Sequence, residues 1–229
     1  MNLNADLGEG SGADEAILTC VDSANVGCGA HAGSMSISIA TAWRCRALGI
    51  EVGAHPGYED RAAFGRVERS LSADEIAALV AFQVAGLAAV APIAYVKPHG
   101  ALYHRCQRDA AVAEAVARVA QSHAVGIVCQ AGFELALAGE RAGIPVYREG
   151  FADRLLMPDG TLAPRSEAGA VLGPQSAAAQ ALALARSGRC DTICIHGDTT
   201  GASAVAAAVR QTLIAAGITT GPLRDPGSK

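Results

Sequence analysis

Short apolar runs alternate along the chain with longer Ala-rich stretches of helical character. The runs Asn2–Asn4, Ala24–Val26, Glu51–Ala54, Ile93–Val96, Val125–Val128, Pro145–Tyr147 and Thr192–Ile195 predict strands. Met35–Leu48, Ala73–Ala91, Ala110–Ser122, Phe133–Ala142, Pro174–Ser187 and Ala202–Ala216 predict helices. Four of these helices run into Gly49, Gly143, Gly188 and Gly217 just before the next extended segment. Glycine accepts the left-handed conformation that closes a helix, so these read as short helix-to-strand turns. Strands joined by crossover helices run parallel, and a parallel sheet is covered on both faces. The class is therefore α/β. A chain of 229 residues suits a single barrel of this kind. Residues 1–218 are expected to form one catalytic domain, and the Gly-, Pro- and charge-rich 219–229 a flexible C-terminal tail.

One stretch imitates a membrane span. Ala77 to Val96 is nearly all apolar, but Pro92, Gln83 and Gly86 interrupt it, and Ser72 with Glu75 forms a capping-box pattern ahead of it. It reads as a buried helix followed by a short strand, with no membrane partner. Aromatic residues make up only 4% of the chain, which favours close-packed helices over a β-sandwich. The net charge of −4 and the lack of any Lys/Arg-rich run argue against nucleic acid. The start Met1-Asn2-Leu3-Asn4 lacks a basic or apolar leader, and the seven cysteines form no C-x-x-C pair. Both point to a cytoplasmic protein with reduced thiols.

Polar, Gly-containing clusters follow nearly every predicted strand. They are Asp6-Leu7-Gly8-Glu9; Gly27 to Gly33 with His31; His55-Pro56-Gly57-Tyr58, then Phe64-Gly65-Arg66; Lys97-Pro98-His99-Gly100 through Tyr103; Glu149 to Arg154; and His196-Gly197-Asp198. In a parallel barrel the C-terminal strand ends share one mouth, so these clusters predict one site. Asp6 and Glu9 can bind a cation or act as acid and base. An Asp and two His from separate strands also match a metal site in residue type, at long-range spacing. Pro98 holds Lys97 extended, where it suits a substrate carboxylate or a phosphorylated intermediate, while His99 suits proton transfer. Asp153-Arg154 fits an internal ion pair or a ligand clamp, and Asp198 can orient His196. His104 and His123, at helix ends, receive no role. The irregular stretch Glu149 to Gly173 is long enough to be a functional loop. The chain has no Walker A sequence, no G-x-G-x-x-G after a strand and no G-x-S-x-G elbow, so a nucleotide step would use another chain.

At these residues the sequence resembles the family of 5-oxoprolinase A subunits, also called the lactam-utilisation family. The matching segments are NADLGEG, SANVGCGAHAG, VGAHPGYEDRAAFGR, VKPHGALYH, EGFADR and ICIHGD, in the family's order. The resemblance implies a (β/α)7-type TIM-like barrel related to carbohydrate deacetylase barrels. It also implies a cytoplasmic protein that works with partner subunits B and C to hydrolyse 5-oxo-L-proline, or a similar small lactam, to L-glutamate. ATP, with Mg2+, would be handled together with the partners. On this reading Asp6, Glu9, His31, His55, Lys97, His99, Asp153, His196 and Asp198 are the catalytic candidates, with Lys97 steadying developing negative charge. Arg66, Tyr103 and Arg154 are the substrate-binding candidates. The family pattern has Cys at Ala5, Phe at Ala30, Asp at Ser34 and Asn at His104, and a longer segment between Glu9 and Ser23. The change at Ser34 bears on any metal or proton role there. Two other readings of the same residues stand beside this one: a metal-dependent amide deacetylase, and a scaffold that binds the lactam or its partners without chemistry.

Overall fold

The computed structural model describes residues 1–223. Seven parallel strands close into a barrel in sequence order: β1 (Asn2–Leu7), β2 (Ser23–Gly27), β3 (Glu51–His55), β4 (Tyr95–Val96), β5 (Gly126–Cys129), β6 (Val146–Phe151) and β7 (Thr192–His196). β1 joins β7 in register Asn4↔Cys194 and Asp6↔His196, which completes the ring. The helices outside it are α1 (Asp14–Leu18), α2 (Met35–Leu48), α3 (Ala73–Ala88), α4 (Gly100–Arg108), α5 (Ala110–Ser122), α6 (Glu134–Ala142), α7 (Pro174–Ser187) and α8 (Ala202–Ala215). Local chemistry sets their limits. Ser72 and Glu75 form the expected capping box on α3, Asp109 caps α5 by accepting from Val112 N, and Pro174 opens α7. Gly49, Gly143 and Gly188 close α2, α6 and α7 in the left-handed conformation. No helix among the described residues is long and apolar enough to cross a membrane.

The side-chain period of two puts alternate residues of each strand on opposite faces. Leu3, Ala5 and Leu7, with Ala24, Val26, Val52, Ala54, Ile193 and Ile195, face the helices and form the main apolar core. The inward residues are mostly polar. Asn2 Oδ1 accepts from Ser23 Oγ (3.0 Å) and Thr192 Oγ1 (2.6 Å), and Thr192 Oγ1 accepts from Asn4 Nδ2 (2.6 Å). Asn25 Nδ2 donates to Asn4 Oδ1 (2.6 Å) and Asp6 Oδ1 (2.7 Å), and Tyr95 Oη donates to Asn25 Oδ1 (2.7 Å). This ladder runs along the barrel axis from its lower end to Asp6. At the lower end Tyr95, Val128 and Tyr147 pack together with Leu223 against them. Residues 219–223 reach this plug through Gly221 N on Met1 O, Asn2 Nδ2 on Gly221 O and Leu223 N on Glu51 Oε2. The remainder of the expected tail, 224–229, lies outside the described residues.

Several features depart from expectation. The fourth strand is only Tyr95–Val96 rather than Ile93–Val96. The sixth runs on to Phe151, so Glu149 is an inward strand residue and not part of a loop. The cluster after Lys97 starts a helix, α4, with His99 at its N-cap. The segment 152–173 is irregular as expected, but it is tied down by bridges Arg154↔Val171 and Leu156↔Leu162 and by Gln180 Nε2 on the carbonyls of Phe151 and Arg154.

Candidate active site

Five strands deliver the centre of the site. Lys97 Nζ lies 2.9 Å from Asp6 Oδ1, 2.8 Å from Glu149 Oε1 and 2.9 Å from Cys194 Sγ. An ammonium has three N–H bonds; Asp6 Oδ1 and Cys194 Sγ accept two of them, and Glu149 is held beside it as an ion pair. Lys97 is 2% exposed, and a charge that deep persists only when paired. Burial acts to lower its pKa, but Asp6 and the other neighbours outweigh burial and hold it well above the ordinary value. Burial likewise acts to raise Asp6, yet Lys97, then His55 and His196, hold that carboxyl well below its usual range.

Three buried histidines stand beside this pair. His55 Nδ1 donates to the Lys97 carbonyl (2.7 Å), and its Nε2 lies 3.5 Å from Asp6 Oδ2. His99 Nε2 donates to the Phe64 carbonyl (2.8 Å), and its Nδ1 lies 3.0 Å from His55 Nε2. Phe64 holds φ 56°, a rare conformation for a side-chain-bearing residue, and this turn aims its carbonyl at His99. At the adjacent Gly65, with φ +65°, a Cβ would come within 2.8 Å of His31 Cβ and 3.0 Å of His99 Cδ2. Only glycine fits there. His31 stacks on His99 with ring centroids 3.8 Å apart, and its Nε2 lies 3.0 Å from Glu9 Oε1. Burial, then His55, pushes His31 down to about 3. Burial, then His31 and His55, holds His99 well below its ordinary value. Burial thus disfavours the charged form of both rings. Burial, then Asp6, pushes Glu9 well above the usual carboxyl range.

His196 faces the same space from β7. Asp153 Oδ1 pairs with its Nδ1 (2.9 Å), while Asp153 Oδ2 accepts from its backbone N–H (2.9 Å). The expected orienting role of Asp198 thus falls to Asp153. Asp198 instead ties Arg66 (2.5 Å) to Arg165 (3.1 Å). The ion-pair option for Asp153-Arg154 is not taken up either. Arg154 turns away and donates to the carbonyls of Ala163 (2.6 Å) and Ala170 (3.4 Å).

A cavity of about 510 Å³ opens over these groups. Asp6, His55, Lys97, His99 and His196 line it from the strand ends, Tyr103 and Phe151 from the side, and Arg66, Arg108, Arg154 and Arg165 from the surrounding segments. Glu9, His31, Asp153 and Asp198 do not line the cavity and stand behind residues that do. Every catalytic and substrate-binding candidate read from the sequence belongs to this one end of the barrel. Glu149 and Cys194, which hold Lys97, were not singled out. The signal for both was inward register two residues before a strand's end. His104, given no role, lines the cavity, and burial with Arg154 lowers its pKa. Ser34 caps α2 by accepting from Ile37 N, at 3.2 Å, a task that an Asp there would also serve. Ala5 faces the helices, away from the cavity.

Two groups bring together metal-ligand atoms within 4.8 Å of one another: Glu9, His31, His55 and His99, and Asp6, Cys194 and His196. The match to the LamB/YcsF family model spans residues 1–227. The chain belongs to this family. A relative from Chloroflexus aurantiacus, named as the A subunit of a 5-oxoprolinase, is 45% identical over 244 residues, covering 96% of each protein. The crystal structure of a lactam utilization protein from Thermus thermophilus superposes with a TM-score of 0.88 at 36% identity, over 96% of this chain and 98% of that one. A family 4 carbohydrate esterase from Streptomyces lividans shares the fold alone, with a TM-score of 0.56 at 12% identity over 99% of this chain and 94% of that one. The fold is thus a (β/α)7 TIM-like barrel of the kind that also serves carbohydrate esterases, and the family points to lactam utilisation.

Proposed function

We propose that this chain is the ring-opening barrel of an ATP-dependent 5-oxoprolinase, acting with partner subunits B and C on 5-oxo-L-proline. The observation that carries the reading is the division of one cavity between an acid–base floor and a cationic surround. The floor presents Asp6, His55, His99 and His196; the surround presents Arg66, Arg154 and Arg165. A 5-oxoproline molecule has the matching halves, a ring amide and a carboxylate. The guanidinium groups suit the carboxylate, and Tyr103 and Phe151 give the ring an apolar wall.

A lactam is a stable amide, so its carbonyl needs activation before water attacks. Transfer of a phosphoryl group from ATP to the lactam oxygen, with Mg2+ and the partners, makes that carbon electrophilic. The chain's own residues then guide water. Asp153 accepts the Nδ1 proton of His196 and leaves Nε2 as the base that faces the cavity. His196 takes a proton as the water oxygen bonds to the ring carbon. The ring C–N bond breaks and the nitrogen takes up a proton as the amine, which leaves the carbon as an acyl phosphate. A second water then cleaves this acyl phosphate to the carboxylate of L-glutamate and inorganic phosphate. The Lys97 field favours the negative charge that develops.

The test is reconstitution with partner subunits, 5-oxoproline, ATP and Mg2+. L-glutamate should form in step with ADP. Absence of glutamate, while the corresponding barrel of a relative restores activity to the same partners, would overturn the reading.

A further inference from the structure

We infer that His55, His99, Asp6 and Glu9 form a binding site for one divalent transition-metal ion. The inference starts from where the imidazole protons must be. A carbonyl oxygen has no proton to give, so a ring nitrogen that bonds to one is the donor. The Lys97 carbonyl therefore fixes the proton of His55 on Nδ1, and the Phe64 carbonyl fixes that of His99 on Nε2. The two remaining nitrogens, His55 Nε2 and His99 Nδ1, each present a lone pair. They face one another at 3.0 Å. Around them lie only more acceptors: Asp6 Oδ2 at 3.5 Å from His55, and Glu9 Oε1 at 3.4 Å from His99 and 3.9 Å from His55.

Lone pairs that converge on one point without a donor repel unless something positive sits among them. Lys97 does not fill that role, because its contact is with the other oxygen of Asp6. A proton on Glu9 would satisfy His31 or His99 but would leave the contact between His55 and His99 as it is. The charge count agrees. Three carboxyl groups, Asp6, Glu9 and Glu149, are buried here, and the Lys97 ammonium contacts only Asp6 and Glu149.

The spacing also fits an ion. Ligands at about 2.1 Å from a metal lie roughly 3.0 to 3.4 Å apart for right-angle to tetrahedral arrangements; the His55–His99 (3.0 Å) and His99–Glu9 (3.4 Å) separations fall in that range, and His55–Asp6 (3.5 Å) lies just beyond it. Two imidazoles and two carboxylates suit Zn2+, Mn2+, Co2+ or Fe2+ rather than Ca2+ or Mg2+. The other ring nitrogens held by carbonyls are the usual outer support of metal-binding histidines. His31, stacked on His99 and bonded to Glu9, is a positioning residue.

The test is made without substrate, ATP or partners, so it stands apart from the proposed activity. The full chain is stripped with a chelator and titrated with Co2+, read by visible d–d absorption and by metal analysis, with Zn2+ as competitor. One Co2+ per chain is expected. His55→Gln and His99→Gln should each weaken binding by at least about a hundredfold, and His31→Asn by roughly ten- to a hundredfold. His104→Gln should leave it unchanged. Far-UV circular dichroism of the metal-free variants separates lost ligation from lost folding. Failure of the wild-type chain to take up Co2+, Zn2+ or Mn2+ would overturn the assignment. So would uptake that survives both His55→Gln and His99→Gln in folded protein. Ring 15N shifts of an imidazolium in a chain that takes up no metal would show a shared proton in its place and would also overturn it.

Discussion

Two layers of the same barrel interior, two residues apart along β1, settle their polar groups in opposite ways. Around Asn2 and Asn4 the groups are neutral, and donors meet acceptors: Ser23 and Thr192 on Asn2, Asn4 on Thr192, Asn25 on Asn4, Tyr95 on Asn25. Around Asp6 the groups are charged or titratable, and acceptors exceed donors. A closed neutral network makes a rigid core. An acceptor-rich centre, by contrast, is poised for something positive, whether a cation, a proton or an electrophilic ligand. On the proposed function the lower layer serves architecture and the upper layer chemistry. Asn25 and Asp6 join them through a 2.7 Å hydrogen bond, so the rigid layer positions the reactive one.

Substitutions can break or sharpen this contrast. The largest effect is expected from Lys97→Met, which leaves Asp6 and Glu149 buried without their cation. Removing one partner of such a pair costs about 3 to 5 kcal/mol, measurable by urea unfolding at neutral pH. Lys97→Met with Glu149→Gln should recover part of it, and a single-variant loss too small to resolve would remove the charged layer from the account. Next is Asp153→Asn, whose amide can hold His196 in the wrong tautomer. Glutamate formation should fall by about a hundredfold or more with little change in Tm. Tyr95→Phe follows, since it deprives Asn25 Oδ1 of its donor. It should cost about 1 to 3 kcal/mol of stability while sparing turnover.

The smallest effect lies at the barrel's lower rim. Burial acts to raise the pKa of Asp191, but hydrogen bonds from Arg148 outweigh it and hold the carboxyl below its usual value. A depressed carboxyl stabilises the fold above its unfolded pKa and loses that contribution as the pH falls through the folded value. Both side chains are partly exposed. Asp191→Asn should therefore cost less than about 1 kcal/mol at neutral pH, with the deficit fading below about pH 4. Thermal unfolding across that range reads it.

All seven strands were legible in the sequence as short apolar runs between helical stretches, and six of them lead into a polar cluster at the same topological position. The same regularity brought the candidate site residues to one end of the barrel. What the sequence hid were pairings across the barrel. His196-Gly197-Asp198 reads as an orienting pair, yet the turn after β7 sends Asp198 outward to Arg66 and Arg165, and Asp153 of the neighbouring segment takes its place. Glu149 reads as a loop residue because Pro145–Tyr147 looks like a complete strand, whereas pairing with β7 carries β6 on to Phe151. α4 was masked by Pro98 and Gly100, which signal a turn but here precede and open a helix. α1, from Asp14 to Leu18, is too short for helical periodicity to register.

The division between the two layers is tested most directly by one pair of turnover measurements. Lys97→Met and Tyr95→Phe chains are each combined with the same partner subunits, 5-oxoproline, ATP and Mg2+, and glutamate release is expressed per folded chain. Tyr95→Phe should stay within about threefold of the wild type, and Lys97→Met should fall by at least about a hundredfold. Equal losses in the two variants, or an undiminished rate with Lys97→Met, would contradict the assignment of chemistry to the upper layer.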